Sequence, residues 1–457
     1  MLHYQILDIG SNRGAPRVWL QDQILRSAGF NVGNTYTVTE EGDQLTLTVS
    51  DAGERVVSPK PQRGKVVPAV DLNSHKILRL FEGLTRVRII AQRTGVIVIT
   101  SLNSDRRRKE RKARVYRRLA NAEPLEMASV SHGGGIMCHA LHHGLRDSGH
   151  DVHLAFANEI RPELIDHASK VNDSWEQDTI KIAAPLQEFA FDFEGVKLSQ
   201  VDIVDAGLPC SGASKSGRAK RGMSLPEAHP EVGHLMVAFL ALVARTNPLL
   251  IVLENVVPYL NTGSAWQFKN QLKDWGYEVH ELIFRGSEFG ALEDRERAVL
   301  IAVTDGISFD LADLERSFDE HQTFADIQDP VPDNSSKWSP MEGLRSKQVR
   351  DEASGKNFKM QIVSQKSQTI PTIGKGYQKN RSTEPKLQHP DNPELLRLLT
   401  PAEHARAKRI PETLVEGHSD TVAHEVLGQS VIHPAFAAIG RLIGHSLWRW
   451  ASMPVAA

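Results

Sequence analysis

The chain between Leu125 and Val303 alternates short apolar runs with amphipathic segments. The runs have the length of buried strands, and the segments between them space their apolar residues as helices do. The predicted strands cover 152–157, 180–184, 201–204, 249–253 and 297–303, and the predicted helices cover 162–170 and 234–245. Because strands alternate with helices, we expect an α/β fold with a doubly wound, mostly parallel sheet.

A different pattern occupies residues 1–104. Two stretches, 19–49 and 67–102, each contain a short amphipathic segment followed by alternating strands around a glycine turn. Two such copies predict a β-rich N-terminal module. Residues 28–33 resemble part of the swapped-hairpin DNA-binding domains of antitoxins and transition regulators. DNA binding and an oligomerisation or packing role are both open for this module.

The segment 105–124 is predicted to be a basic linker. Nine of the thirteen residues from Arg106 to Arg118 are Lys or Arg. A solvated helix and a surface that contacts phosphate are both compatible with this charge density. Residues 305–395 then lose the strand–helix rhythm and are rich in Pro, Ser, Lys and acidic residues, and helical patterns resume at 401–408 and 435–447.

Composition limits the kinds of binding site and the cellular location that we expect. The 457 residues carry a net charge of -2 and 40% hydrophobic residues, so any nucleic-acid surface must be local. Two cysteines without CxxC spacing cannot form a disulfide framework, and they predict a reducing compartment and no metal. The N-terminus lacks a signal pattern, and no apolar run has transmembrane length. We therefore expect a cytoplasmic, nucleoid-associated protein that does not bind a membrane.

The most informative feature is a thiol and a carboxylate at the ends of consecutive predicted strands. The run 201–204 leads into Gly207-Leu208-Pro209-Cys210, and the run 249–253 ends in Glu254-Asn255-Val256. In open α/β sheets the ligand crevice lies outside the carboxyl ends of the strands. The spacing therefore predicts a nucleophile and an acid that face one pocket.

Five motifs in order make residues 125–450 resemble the DNA (cytosine-5) methyltransferases. They are Pro209-Cys210 with Ser214, Glu254-Asn255-Val256, Arg295-Glu296-Arg297 after Phe289-Gly290, Leu399-Thr400-Pro401-Ala402-Glu403-His404-Ala405-Arg406, and Gly428-Gln429-Ser430-Val431. The resemblance implies a Rossmann-like methyltransferase domain at 125–304 and 396–457. It also implies that 305–395 is a smaller, irregular target-recognition domain.

The resemblance assigns a catalytic role to each motif residue. Cys210 would add to C6 of cytosine, so that C5 can attack a sulfonium methyl group. Glu254 would hydrogen-bond N3 and the exocyclic amine. Arg297 would hold O2, Arg295 would support it or bind a phosphate, and Asn255 would brace the nucleophile loop. Base flipping is implied, because the target must leave the duplex.

The implied cofactor is S-adenosylmethionine. A glycine turn lets the backbone approach a ligand, and an acidic residue that ends the second strand can bind ribose hydroxyls. The expected cofactor residues are Gly133, Gly134, Gly135, Glu159, Pro209, Gln429 and Ser430. The chain departs from the family pattern at Val130, at the position of an adenine-packing aromatic, and at His132, Pro185 and Gln429. A modified analogue of S-adenosylmethionine is therefore an alternative cofactor.

Double-stranded DNA is the implied partner, with a restriction endonuclease as an optional second one. The expected DNA contacts are Ser214, Lys215, Arg218, Lys220, Arg221, Lys375, Tyr377 and Lys379. Two other functions are open: a degenerate methyltransferase that acts as a DNA-binding regulator, and methylation of structured RNA. Cys138 is interpreted as a small core residue.

Overall fold

A computed structural model describes residues 1–209, 225–317 and 322–453. The contacts divide the chain into two compact units, Met1–Lys109 and Glu110–Ala457. Each unit has its own apolar core.

The first unit is rich in antiparallel β structure. Its strands are β1 (His3–Asp8), β2 (Gly10–Asn12), β3 (Ala15–Gln21), β4 (Thr35–Glu41), β5 (Gln44–Val49), β6 (Arg55–Val56), β7 (Ser58–Gln62), β8 (Lys65–Leu72), β9 (Arg86–Arg93) and β10 (Val96–Thr100), and its helices are α1 (Gln23–Ser27) and α2 (His75–Leu78). One six-stranded sheet has the order β1-β9-β10-β5-β4-β6, and a four-stranded sheet has the order β2-β3-β8-β7.

The two copies expected from the sequence are visible in the strand pairing. Each copy contains a strand, a short helix and a hairpin: β3-α1-β4-β5, then β8-α2-β9-β10. Equivalent strands of the two copies pair with each other, β3 with β8 and β5 with β10. In addition, β1 pairs with β9 of the second copy, and β6 pairs with β4 of the first. The unit is therefore an interlocked internal duplication.

The second unit contains the predicted α/β domain. Its strands are β11 (Leu125–Val130), β12 (Val152–Asn158), β13 (Ile180–Ile182), β14 (Ile203–Ala206), β15 (Leu250–Asn255), β16 (Tyr277–Phe284), β17 (Arg297–Thr304), β18 (Ile362–Val363), β19 (Lys386–Gln388) and β20 (Leu396–Arg397). Its helices, preceded by α3 (Asn103–Ala120) at the unit boundary, are α4 (Ile136–Asp147), α5 (Pro162–Val171), α6 (Leu186–Phe191), α7 (Leu235–Thr246), α8 (Gly263–Asp274), α9 (Glu342–Ala353), α10 (Pro401–Ala407), α11 (Asp420–Gln429) and α12 (His433–Ser452). Short 3₁₀ turns occur at Arg79–Phe81, Pro226–Ala228, Val257–Asn261, Gly286–Phe289, Leu311–Asp313, Phe324–Ile327, Tyr377–Lys379 and Glu412–Leu414.

The large sheet confirms the predicted fold class. Its seven strands have the order β13-β12-β11-β14-β15-β17-β16, and β17 alone among them runs antiparallel to its neighbours. Apolar side chains cover both faces, as expected for a parallel sheet with helices on each side. Met127 belongs to the cluster that includes residues of α4 and α12, whereas Val130 belongs to the cluster that includes residues of α7 and α8.

The basic segment predicted as a linker is the helix α3, and its second half packs on the large sheet's domain. Arg111 is buried and donates to the carbonyls of Trp275 and Gly276, each at 2.8 Å. Arg114 and Arg118 both pair with the carboxylate of Asp202, at 2.7 and 3.0 Å. These three arginines therefore bind protein groups, and a phosphate contact stays open only for the other basic residues of the run.

Replacing Arg114 with alanine should destabilise the second unit by about 3 kcal/mol, because the buried carboxylate of Asp202 then loses one of its two arginine partners. Asp202 has no exposed surface, and the Arg114 side chain is 9% exposed. The free energy of unfolding from urea denaturation measures the loss. Arg117→Ala, on the exposed face of the same helix, is the control and should change it by less than about 0.5 kcal/mol. An equal loss of unfolding free energy in Arg114→Ala and Arg117→Ala would contradict the stabilising role given to the Arg114–Asp202 ion pair.

Residues 305–395 form a small part of the second unit with its own apolar cluster. Its regular elements are the helix α9 and the strands β18 and β19, and β20, which directly follows residue 395, completes their three-stranded sheet. Phe324, Trp338, Ile373 and Leu387 lie in the cluster. The late Leu399–Arg406 motif closes this region: Thr400 and Glu403 form a capping box that starts α10.

No single helix among the described residues is long and apolar enough to cross a membrane. Taken together, the helices α11 and α12 are long and apolar enough to satisfy that requirement, but they form a pair bent by 45°.

Candidate active site

The predicted pocket residues meet at one edge of the large sheet. In the parallel ladder, Val130 pairs with Asn158 and with Ala206, and Ala206 pairs with Leu253. The glycine turn, Glu159, Pro209 and Glu254 follow these positions closely, so they lie at the carboxyl ends of neighbouring strands. This is the edge at which open α/β sheets bind ligands.

Glu254 and Arg297 form an ion pair at this edge. The distance from Arg297 Nε to Glu254 Oε1 is 2.9 Å, and the side chains are 12% and 13% exposed. The antiparallel direction of β17 explains the contact, because it brings the first residue of β17 beside the carboxyl end of β15. A carboxylate and a guanidinium held together at a pocket edge offer complementary acceptors and donors to a planar polar ring.

Asn255 connects this strand to the segment before the predicted nucleophile. Its Nδ2 donates to the carbonyl of Leu208 at 3.0 Å, and its Oδ1 accepts from the amide of Val256 at 2.9 Å. Pro209 is exposed, and Cys210 lies outside the described residues. The bond to Leu208 supports the bracing role predicted for Asn255.

The glycine turn after β11 is held against the carboxylate of Glu159. The amide of Gly133 donates to Oε2 at 2.8 Å, and the amide of Arg161 donates to Oε1 at 3.1 Å. A Cβ on Gly134 would come within 2.5 Å of Val426, and one on Gly135 would come within 2.5 Å of His132 Nε2. Only glycine fits at these two positions, and the turn packs against α11, the helix that carries the Gly428-Gln429 motif.

The matches with known proteins agree with this arrangement. A sequence model described as C-5 cytosine-specific DNA methylase matches residues 137–445. The chain belongs to this family. The methyl donor of the family is S-adenosylmethionine.

Curated relatives of this family member are bacterial modification enzymes. Type II methyltransferase M1.ScrFI of Lactococcus lactis subsp. cremoris is 27% identical over 245 residues, which cover 52% of this chain and 61% of the relative. Type II methyltransferase M.HpaII of Haemophilus parainfluenzae is 29% identical over 263 residues, which cover 53% of this chain and 71% of the relative. The chain thus spans less than two thirds of the first of these proteins.

Solved structures share the fold of this methylase at low identity. The S. pombe Dnmt2 methyltransferase has 17% identity and a TM-score of 0.54, and the match covers 72% of this chain and 99% of that one. The Entamoeba histolytica methyltransferase EhMeth has 16% identity and a TM-score of 0.55, with 71% and 99% covered.

Several residues near the glycine turn bear on the predicted cofactor site. The carboxylate of Glu159 is fixed by two backbone amides at the end of β12, where ribose hydroxyls are bound in such sheets. Sequence reasoning missed Ile160, which follows Glu159 with 62% of its surface exposed. Gln429 is exposed, whereas the Ser430 hydroxyl donates to the carbonyl of Leu427 at 2.7 Å. Ser430 therefore caps the end of α11.

His132 and Val130, two departures from the family pattern, both lie in the interior of this methylase. Val130 is fully buried in an apolar cluster, so an aromatic side chain there would overpack the core rather than stack on a ligand. The ring of His132 packs edge-on against Trp175, and its Nδ1 lies 2.8 Å from Ser129 Oγ. His132 is therefore a buried support for the turn, and burial lowers its pKa to about 3.

Arg295 contacts Glu293 and the end of α11. Its side chain is buried, with Nη1 3.4 Å from Glu293 Oε1 and Nη2 donating to the carbonyl of Gly428 at 3.1 Å. This burial and the bond to the last turn of α11 favour the supporting role over phosphate binding, and the catalytic assignment of Arg295 stays a prediction.

The predicted DNA contacts differ in their exposure to solvent. Lys375 and Lys379 are exposed near each other in sequence. Tyr377 is fully buried, and its hydroxyl donates to the carbonyl of Pro385 at 2.8 Å and accepts from the amide of Leu399 at 2.9 Å. The prediction of Tyr377 as a DNA contact is therefore wrong. Five further predicted contacts lie outside the described residues: Ser214, Lys215, Arg218, Lys220 and Arg221.

Asp205 is a buried acid that sequence reasoning did not single out. It accepts a hydrogen bond from Ser129 Oγ at 2.9 Å, and burial raises its pKa to about 7. The unfolded chain loses this proton near pH 4, so the folded state is penalised increasingly as the pH rises from about 4 to about 7.

Asp205→Asn should therefore raise the melting temperature at pH 8 but not at pH 4. The removed penalty is about 4 kcal/mol at pH 8, from a pKa shift of about 3. Thermal unfolding followed by circular dichroism at both pH values checks this result. Asp274→Asn, an exposed position on α8, should show no such pH dependence. A gain that is equal at both pH values would refute the explanation.

Proposed function

We propose that this chain transfers a methyl group from S-adenosylmethionine to C5 of cytosine in double-stranded DNA. The observation that carries the proposal is the Glu254–Arg297 pair at the ligand edge of the sheet. Asn255 of the same strand reaches the segment that leads to Cys210. Family membership supplies the reaction type, and this geometry supplies groups suited to hold a pyrimidine.

The chain's own residues have separate roles in the proposed reaction. The Cys210 thiolate adds to C6 of the ring and forms a C–S bond. Glu254 hydrogen-bonds N3 and the exocyclic amine, which stabilises the charge that develops as the thiolate adds. Arg297 orients Glu254 and donates to O2. The C5–methyl bond would form as the sulfonium–methyl bond of the donor breaks, with the demethylated thioether as leaving group. Loss of the C5 proton to solvent would then expel the Cys210 thiolate and restore the aromatic ring.

The methyl donor would be held by the glycine turn and Glu159. Bound S-adenosylmethionine supplies an electrophilic methyl group. Glu159 accepts from the ribose hydroxyls, Gly133 to Gly135 allow close approach of the backbone, and the exposed side chain of Ile160 offers an apolar surface. Pro209, Gln429 and Ser430 border the same site in the proposal.

DNA recognition is assigned to residues 305–395 and to the basic residues that follow Cys210 in the sequence. Exposed Lys375 and Lys379 suit phosphate contacts, which position a protein on the duplex. The target cytosine must be flipped out to reach Glu254. The names of the Type II relatives support a place in restriction–modification. The proposal adds an endonuclease of the same specificity as partner and the nucleoid as location.

Mass spectrometry of nucleosides from duplex DNA tests the proposal. Purified protein is incubated with DNA and S-adenosylmethionine that carries a deuterated methyl group, and 5-methyl-2′-deoxycytidine with the label is expected. Labelled product from transfer RNA but not from DNA would instead establish the RNA substrate. DNA binding without product would favour the regulator, and identification of the ligand released from the protein would reveal a modified donor.

A further inference from the structure

A cluster of metal-ligand side chains lies outside the proposed catalytic groups. His139 and His143 are one turn apart on α4, so their rings project from the same face of the helix. Asp173 follows α5 and meets both rings: its Oδ1 lies 3.3 Å from His139 Nε2 and 3.1 Å from His143 Nε2. All three ligand atoms lie within 4.8 Å of one another.

These separations match the spacing of ligands around a tetrahedral ion. Zinc bonds to imidazole nitrogen and carboxylate oxygen are about 2.0–2.2 Å long, which places neighbouring ligand atoms about 3.3–3.6 Å apart. The two imidazoles are stacked with their centroids 4.1 Å apart, so that both Nε2 atoms approach one carboxylate. Only small movements are needed to centre an ion among the three atoms.

The surroundings of the cluster also suit a metal. His139 Nδ1 lies 2.8 Å from Nε2 of His433, the first residue of α12. A ring that binds a metal through Nε2 needs such an acceptor for its other N–H, which fixes the tautomer. The side chains of His143 and Asp173 are 38% and 58% exposed, whereas His139 is 7% exposed. The site thus has a buried wall and an open side through which an ion and a water ligand can enter.

We propose that His139, His143 and Asp173 bind one divalent zinc-type ion, with His433 orienting His139. Two imidazoles and one carboxylate form a donor set that suits zinc and related first-row ions. The sequence predicted no metal because it contains no CxxC spacing, and this histidine pair lies among other histidines on α4.

The ion would fasten segments that border the cofactor turn. Asn172, next to Asp173, donates from Nδ2 to the carbonyl of Gly135 at 3.2 Å. The helix α4 begins directly after that glycine, and His433 closely follows Gln429 and Ser430. The ion's role is therefore structural, and its binding does not depend on methyl transfer.

A second cluster provides a matched control. His153, Glu176 and Asp178 also bring three ligand atoms within 4.8 Å, but Glu176 and Asp178 are exposed. The Nδ1 of His153 already lies 2.8 Å from Glu126. This cluster lacks a buried wall, so His153→Ala should leave the proposed site intact.

Titration of the full chain with Co²⁺, followed by displacement with Zn²⁺, tests the proposal. After chelator treatment and dialysis, we expect one equivalent of Co²⁺ to give the visible absorption of a tetrahedral site, and Zn²⁺ to bleach it. His143→Ala and Asp173→Asn should weaken Zn²⁺ binding at least about 100-fold, and His433→Ala about 10- to 100-fold. His153→Ala should bind as the unaltered protein does.

Three results would overturn the proposal. The first is the absence of saturable binding to the unaltered protein, and the second is equal affinity in Asp173→Asn. The third is a loss of binding in the control variant alone. Asp173→Asn preserves side-chain volume at an exposed position, so the metal-free variant should keep the circular dichroism spectrum and melting temperature of the metal-free parent. A loss of binding confined to His153→Ala would move the site to the second cluster and reject this one.

Discussion

Cys210→Ala is expected to reduce methyl transfer to DNA by at least about 10⁴-fold, while the affinity for duplex DNA changes little. Without the thiolate no covalent bond forms at C6, and C5 does not become nucleophilic enough to attack the methyl group. Single-turnover transfer of labelled methyl measures the rate, and fluorescence anisotropy with a labelled duplex measures the affinity. Retained turnover in this variant would reject the proposed mechanism.

The other cysteine is the matched control for this experiment. Cys138 is buried in the core on α4, and burial raises the pKa of its thiol well above the ordinary value. Such a thiol is inert, so Cys138→Ala should retain activity within a few-fold and lose only some stability. Loss of activity in both variants without unfolding would indicate that the thiols were assigned incorrectly.

Glu254→Gln is expected to lower the rate constant for transfer by about 10²- to 10⁴-fold, with the smaller effect on substrate affinity. The amide keeps the shape of the side chain but cannot supply a proton to N3 as negative charge develops on the ring. It also ends the ion pair with Arg297, which lies 2.9 Å away. Single-turnover rates over a range of DNA concentrations separate the two effects.

Glu278→Gln on β16 is the control for this second experiment. Glu278 is an exposed glutamate on the edge strand of the same sheet, with β17 between it and the strand of Glu254, so its replacement should leave transfer unchanged. A Glu254→Gln variant with normal transfer would show that this carboxylate has no chemical role. A variant that loses DNA binding and melts early would instead indicate a purely structural role.

The main features of the fold were predictable because they depend on the order of apolar and polar residues within short segments. Apolar runs and amphipathic segments predicted the α/β domain, since the periodicity of a strand or helix is a property of consecutive residues. The repeat in the first unit was visible for the same reason. The contacts of the basic segment were not predictable, because a run of arginines does not show that Arg111 and Arg114 bind carbonyls and a carboxylate distant in sequence.

Within the site, the position of a residue was easier to predict than the direction of its side chain. Glu254 and Glu159 were placed correctly at strand ends, because the ends of parallel strands share one edge of the sheet. Arg295 and Arg297 are two residues apart in one motif, yet one is buried against Gly428 and the other meets Glu254. Tyr377 stands between exposed lysines, but its ring completes an apolar cluster.

The sequence by itself determined the fold class, the family and the positions of the reactive groups, because motif order and residue periodicity are local information. The tertiary structure alone decided which charges are buried, which arginine meets Glu254, and that His139, His143 and Asp173 meet around one point. The physical reason is that a buried charge, an ion pair or a metal site depends on residues that are far apart in the chain. The desolvation cost and the electrostatic gain that decide these contacts arise only when the helices and strands pack together.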